Sequence, residues 1–389
     1  MPIPIVALAL TAFALGTAEL VPNGLLPLIS SDLGISVSLA GWVTTSFALG
    51  AVIGGPIVAA ATLRLPRKTL VIGLTLVFLV ANAVTASGGS LLVVALSRAL
   101  AGAMLGGFLG TAITIARGLV APSKQATAIA VVFTGFTTSN VIAVPLGNLA
   151  GRAAGWSAAF WLVSALAAVG VVAMWLVLPS APGGAAEDRG FGVLRNGRLW
   201  TLFLAISLGY GGLFVVHTYI APFLISVTGV SQGAVTWLLL LFGVGLIVGN
   251  SLGGRYADRS VTRTVVVILS GLVVSLLALW ALGSLLPAVI VLLVLLGGTG
   301  FGMVPPLQSY VLQVAGTASA LVSALAAAAF NFGVAFGSAV GGTVLARTLD
   351  YPVLAVVGAA MTALGLVAFL ATRPGARAGT PEVPVAQPV

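Results

Sequence analysis

Cysteine is absent from the 389 residues, which excludes a disulfide framework and thiolate metal ligation and leaves the redox compartment open. Histidine occurs once, at His217, so few nucleophile–base or metal-ligand combinations remain for an enzyme. Charge is scarce as well: 6% of residues are charged, against roughly 25% in a soluble domain, while 60% are hydrophobic. A water-soluble fold of this length is excluded. Neither lysine, Lys68 or Lys124, follows a glycine, so the phosphate-binding Gly-Lys-Ser/Thr loop of an ATP-driven pump is missing too.

What remains is a succession of apolar runs, each near the roughly 20 residues that cross a bilayer. They read as spans over Pro4–Ile29, Leu39–Leu63, Thr69–Ser87, Leu91–Ala116, Ala126–Ala150 and Trp156–Leu178, then Trp200–Ser226, Ala234–Gly254, Thr264–Gly283, Ala288–Val311, Ala320–Arg347 and Val353–Thr372. The expected fold class is an all-α integral membrane protein. Residues 1–179 form a first six-helix bundle, 180–199 a cytoplasmic linker containing Glu187, Asp188 and Arg189, 200–373 a second bundle and 374–389 a flexible tail. Met1 to Val6 lack the basic start of a cleaved signal peptide, so the first run is expected to be retained.

The net charge of +9 reads as topology rather than as nucleic-acid binding. With the N-terminus cytoplasmic, thirteen basic residues fall in inner loops and the tail, and only Arg152 and Arg347 in outer ones. Both termini are therefore expected in the cytoplasm, with the chain spanning a bacterial inner membrane. The preference for arginine over lysine and the wealth of Ala, Gly and Val point to a GC-rich bacterial genome.

Sliding the chain against itself by 195 positions superposes Gly16 on Gly211, Pro27 on Pro222, Gly34 on Gly229, Ser36 on Ser231, Trp42 on Trp237, Phe47 on Phe242, Gly50 on Gly245, Gly54 on Gly249 and Arg64 on Arg259. Two halves of like orientation imply a pseudo-twofold axis along the membrane normal and a substrate site between them near the midplane. This arrangement favours alternating access over a channel. Glycines four apart, at Gly50/Gly54, Gly102/Gly106/Gly110, Gly147/Gly151, Gly245/Gly249/Gly253 and Gly333/Gly337/Gly341, mark either close helix packing or surfaces on which the halves slide.

The segment Gly16-Thr17-Ala18-Glu19-Leu20, with Gly24-Leu25-Leu26-Pro27 and Asp32-Leu33-Gly34-Ile35-Ser36, resembles the first span of twelve-span drug:proton antiporters of the major facilitator superfamily. Ala40-Gly41, Phe47-Ala48-Leu49-Gly50, Arg98 through Gly102, Val144-Pro145-Leu146-Gly147, Gly155-Trp156 and Phe160-Trp161 extend the resemblance over nearly the whole chain. The similarity is greatest to bacterial chloramphenicol exporters and arabinose-type sugar efflux proteins. It implies the major facilitator fold and export of drugs or other amphipathic molecules, with sugar or metabolite efflux as the alternative and uptake by symport third. The sequence departs from the family pattern at Leu63, where an aspartate is usual, and at Pro66 and Ala143, where glycine is usual; the repeat copy retains Asp258.

Of seven acidic residues only Glu19 lies deep in an apolar run, where an ionised carboxylate is costly and the group can take up and release a proton. At about 2.3 kcal/mol per charge per 100 mV, and about 1.4 kcal/mol per decade, each charge moved sustains a roughly fortyfold gradient. Arg98 lies at a depth of roughly 10 Å and Glu19 at roughly 15 Å from the outer end, so the two are expected to interact, with helix packing through backbone carbonyls as the other reading of Arg98. Asn23, one turn beyond Glu19, and Tyr210, Phe214 and His217 in the seventh span are candidate substrate ligands, with Gln308 and Asn331 as weaker ones. Arg64, Arg67, Asp258 and Arg259 are candidate gating residues, with Asp258 as the specific acid of a latch. Pro305-Pro306 should interrupt the tenth span. No cofactor is expected beyond the coupling proton, and the partners are a small-molecule substrate and the bilayer, with no nucleic acid; the chain is expected to act as a monomer.

Overall fold

The computed structural model describes residues 2–61, 65–121, 124–179, 195–315 and 320–372, and these are almost wholly α-helical. The first half contains α1 (Ile3–Asp32), the short α2 (Val37–Ala40), α3 (Trp42–Ala61), α4 (Arg67–Ala86), α5 (Leu91–Gly118), α6 (Gln125–Ala154) and α7 (Trp156–Val177). The second contains α8 (Gly197–His217), α9 (Ile220–Ser226), α10 (Gln232–Leu282), α11 (Leu286–Gly302), α12 (Val304–Ala315), α13 (Ala320–Thr348) and α14 (Tyr351–Ala371). Ten described helices are long and apolar enough to cross a membrane, and apolar side chains such as Leu92, Trp175 and Val267 point outward where lipid would lie. Of the expected linker, only 195–199 falls within the described residues, and α8 already begins at Gly197. The tail at 374–389 lies outside them.

Two expected spans, the seventh and the tenth, are each broken into two helices. The seventh is two helices, α8 and α9, parted at Thr218 and Tyr219. Pro222 has no N–H for the Thr218 carbonyl four residues back, so the helical ladder opens there. The eighth and ninth are present as the two helical segments of α10, which meet without an intervening loop at Ser260, where the backbone is extended (φ −165°, ψ 99°). The tenth breaks at Met303, which places Pro305 and Pro306 in the first turn of α12, where missing amides cost little.

The 195-residue repeat is reproduced in packing. Gly34 and Gly229 both take left-handed backbone, with φ of 62° and 74°, and two residues later Ser36 and Ser231 cap the next helix by accepting from the amides of Leu39 and Ala234. Glycine is needed at the turn and serine at the cap, so both copies keep them. A Cβ on Gly50 would overlap the Ala99 carbonyl, and one on Gly245 would overlap the Val294 carbonyl, 195 residues on. Gly102 against the Phe47 carbonyl is likewise matched by Gly297 against that of Phe242. These glycines let α3 approach α5, and α10 approach α11, inside each half. Gly147 and Gly151 meet Val21 and Leu25 of α1, and Gly333 and Gly337 meet Ser207 and Gly211 of α8. The sliding-surface reading is therefore corrected for these positions: they are packing contacts within a half.

Successive spans run in opposite directions, so the bundle has a basic face, holding Arg67, Lys68, Arg117, Lys124, Arg195, Arg198, Arg255, Arg259 and Arg263, and an opposite face with Arg152 and Arg347. One buried apolar cluster spans the second half and continues into the first through Leu20, Leu25, Ile29, Val43, Ala86, Val94 and Trp156, all toward the opposite face. A separate cluster, with Leu8, Phe78, Phe108 and Val132, occupies the basic-face portion of the first half alone. The halves are thus packed together at the opposite face, and among the described residues no buried apolar cluster joins them at the basic face.

Candidate functional site

Pro22 sits inside α1 and provides no N–H for the carbonyl of Ala18, one turn earlier. Arg98 of α5 supplies the missing donor: its Nη2 donates to the Ala18 carbonyl at 2.8 Å and its Nε to the Val43 carbonyl at 3.2 Å. The guanidinium is fully buried, 4.2 Å from the centroid of Phe47 and 5.5 Å from that of Phe160, a cation–π arrangement that compensates part of its lost hydration. Its Nη1 has no hydrogen-bond partner.

Glu19, adjacent to the carbonyl that Arg98 grips, is partly exposed. Among the described residues it forms no close ion pair with Arg98, whose donors go to carbonyls instead. The two side chains nevertheless interact electrostatically, and Glu19 interacts in the same way with Tyr210 of the second half. Of the two expectations for Arg98, the hydrogen bonds match helix packing through backbone carbonyls.

Tyr210 lies at the centre of an aromatic group, 5.1 Å from Phe214, 5.6 Å from Phe301 and 5.2 Å from Phe330 between ring centroids. Phe242 joins at 6.1 Å from Phe301 and stacks on His217 at 4.3 Å. From the first half, Asn23 Nδ2 lies 3.0 Å from His217 Nδ1, while Thr44 donates to Asn23 Oδ1 at 2.7 Å. The structure therefore assembles Glu19, Asn23, Arg98, Tyr210, Phe214 and His217 around one interface between the halves. It adds Thr44, Phe47, Phe242, Phe301 and Phe330, of which only Phe47 and Phe242 carry a sequence signal, as a superposed pair in the repeat.

The other candidates lie elsewhere. Asn331 donates to the Ala327 carbonyl of its own helix at 3.0 Å, and its neighbour Phe330 takes the place beside Tyr210. Gln308 is half-buried on α12, on the basic-face side of the break at Met303. Arg64 lies outside the described residues. Arg67 begins α4 and is half-buried, while Arg259 lies exposed, its guanidinium 5.7 Å from the ring of Tyr256. Asp258 is exposed and lines a cavity of about 440 Å³ with Gly254, Ala257, Val261, Ser309 and Gln313. Lys68 caps a helix end, its Nζ donating to the carbonyls of Trp175 and Leu178 where α7 finishes. Arg198 does the same for Thr372 after α14.

Two stretches, Gly229-Val230-Ser231-Gln232-Gly233 and Gly249-Asn250-Ser251-Leu252-Gly253, have the spacing of a serine-hydrolase nucleophile elbow. Neither has its strand–turn–helix context. Ser231 caps α10, and Ser251 donates to the Ile247 carbonyl within it.

The chain as a whole resembles known proteins. The chain is 35% identical over 366 residues to the inner membrane transport protein YdhP of Escherichia coli K12, covering 94% of each. It is 34% identical over 354 residues to the chloramphenicol resistance protein of Streptomyces lividans, covering 90% of each. Among solved structures it superposes on a mutant form of the nucleoside transporter NupG with a TM-score of 0.71 at 16% identity, over 95% of this chain and 98% of that one. The family model described as Major Facilitator Superfamily matches residues 8–327 and, from the second half, 202–388. A multi-pass membrane protein whose glycine contacts repeat at a fixed offset and which has these relatives, the chain belongs to the major facilitator superfamily of transporters.

Proposed function

We propose that the chain is a proton-coupled exporter of amphipathic small molecules, of which chloramphenicol is the first to test, working by alternating access with both termini in the cytoplasm. The observation that carries this reading is the position of Glu19: partly exposed, in electrostatic range of Arg98 in one half and of Tyr210 in the aromatic group of the other. A carboxyl group so placed answers both to a fixed cation and to whatever occupies the aromatic surface. Ionised, it is drawn to Arg98, whose Nη1 lacks a partner; protonated, it releases that attraction. Substrate seated on Tyr210 and its neighbours then competes with the proton for one site, which is the requirement for exchange. The aromatic surface suits a molecule with an apolar body and a few polar groups. The Streptomyces lividans relative's name supports the substrate class. The excess of basic residues at one face supports the orientation, with that face in the cytoplasm.

Substrate-induced proton release from purified protein tests this directly. Chloramphenicol is expected to release protons from wild type and not from Glu19→Gln, with arabinose inert in both. Binding of a ligand without proton release in wild type refutes exchange at a shared carboxyl group.

A further inference from the structure

We propose that Asn23 and His217 are a latch that closes the opposite face between the halves, a gating pair and not ligands for the substrate. Asn23 belongs to α1 and His217 to α8, and both are buried. Thr44 donates to Asn23 Oδ1, which occupies the acceptor end of the amide and leaves its N–H to donate to His217 Nδ1. The imidazole is fixed from its own half, stacked on Phe242 and edge-on to Phe214 at 5.4 Å. Each partner is thus held by its own bundle, and the bond between them crosses the interface.

The surroundings are those of a closure. His217 ends α8, and the turn that follows is pinned to α13: Thr218 Oγ1 lies 2.6 Å from Ser338 Oγ, and Tyr219 donates to the Ser338 carbonyl at 3.0 Å. The ring of Tyr219 fills the space that side chains on Gly41 of the first half and Gly342 of the second would take. Beyond it, Gly342 lies against the Ser38 carbonyl, and the Arg152 guanidinium against Gly233. The latch therefore sits where the described contacts between the halves gather. Separation on this face must break the bond and expose both groups to water, so it favours the closed state without touching substrate. It rests on the alternating-access part of the reading above and not on proton exchange.

The chain lacks cysteine, so spin labels at Leu39→Cys and Leu349→Cys, exposed positions on the opposite face in different halves, report its opening by pulsed dipolar spectroscopy. His217→Ala and Asn23→Ala are expected to raise the ratio of long to short distances in substrate-free protein by about tenfold, equivalent to about 1.4 kcal/mol. Thr44→Val, which frees the Asn23 amide but leaves the pair intact, should shift it less in the same direction. Gly41→Leu wedges the same face against Tyr219 and serves as the reference for opening. If Gly41→Leu lengthens the distance while His217→Ala and Asn23→Ala leave it unchanged, the latch is wrong; loss of ligand affinity at that unchanged distance would return the pair to the substrate site. If no variant moves the labels, the latch and alternating access fall together.

Discussion

The two halves share a scaffold and differ in what it carries. Position 50 meets a carbonyl at 99 as position 245 meets one at 294, and the turns at Gly34 and Gly229 lead to the same serine caps. Yet the position equivalent to Glu19 is Phe214, that equivalent to Arg98 is Leu293, and that equivalent to Thr44 is Leu239. Buried or half-buried polar groups, Glu19, Thr44 and Arg98, collect in the first half, and the aromatic group around Tyr210 in the second. Conversely, the second half retains Asp258 at the basic face where the first has Leu63. The backbone geometry of a repeat persists because helix contact demands small residues at fixed points. Side chains that face the shared interface are free to divide their labour, since each needs to be present only once.

Erasing that division should have the largest effect. Arg98→Leu copies Leu293 into the first half, orphans the Ala18 carbonyl that Pro22 leaves open, and removes the cation near Glu19. We expect a loss of about 1–3 kcal/mol in stability, read as a lower thermal midpoint, together with loss of substrate-driven proton release. Arg98→Lys, which keeps charge but not the planar fork, should recover stability only in part. A variant that unfolds normally and still exchanges protons would mean that the two halves are not chemically distinct. Testing the shared scaffold comes next. Gly50→Ala and Gly245→Ala should each cost about 1–3 kcal/mol by forcing α3 from α5 and α10 from α11, and the two midpoints should fall alike. A response in one half alone would break the equivalence. The smallest change is expected for Asp258→Asn, where transport at equal expression should slow several-fold while membrane insertion is unaffected; unchanged transport would remove Asp258 from the gate.

Much of the fold is legible in the sequence. Twelve apolar segments stand out by length, and the glycines and prolines of the repeat mark positions where backbone geometry leaves little choice. Glu19 and Arg98 are conspicuous because ionisable groups are so costly within a bilayer. Less visible are relations that depend on tertiary approach. Nothing in the spacing of Asn23 and His217, 194 residues apart, says that they bond to one another. Phe301 and Phe330 look like any other apolar residue until α11 and α13 carry them to Tyr210. Asn331, polar and therefore conspicuous, turns back to its own helix. Pro222 removes a donor at the break in the seventh span, yet Pro27, its equivalent, and Pro22 both lie within an unbroken α1, so proline alone does not decide where a helix parts.

Arg98 also bears on how the chain enters the membrane. An arginine within an emerging helix opposes insertion, by up to about 2.5–3.5 kcal/mol at the centre and less toward an end, where Arg98 lies. Its carbonyl partners, Ala18 and Val43, and the ring of Phe47 all belong to helices made earlier, and only Phe160 is made later. When α5 leaves the ribosome, a berth for its cation has already been synthesised. The order of synthesis and the order of electrostatic need coincide, so a circular permutant that delays α1 and α3 until after α5 would present the same residues to the insertion machinery with the charge stranded.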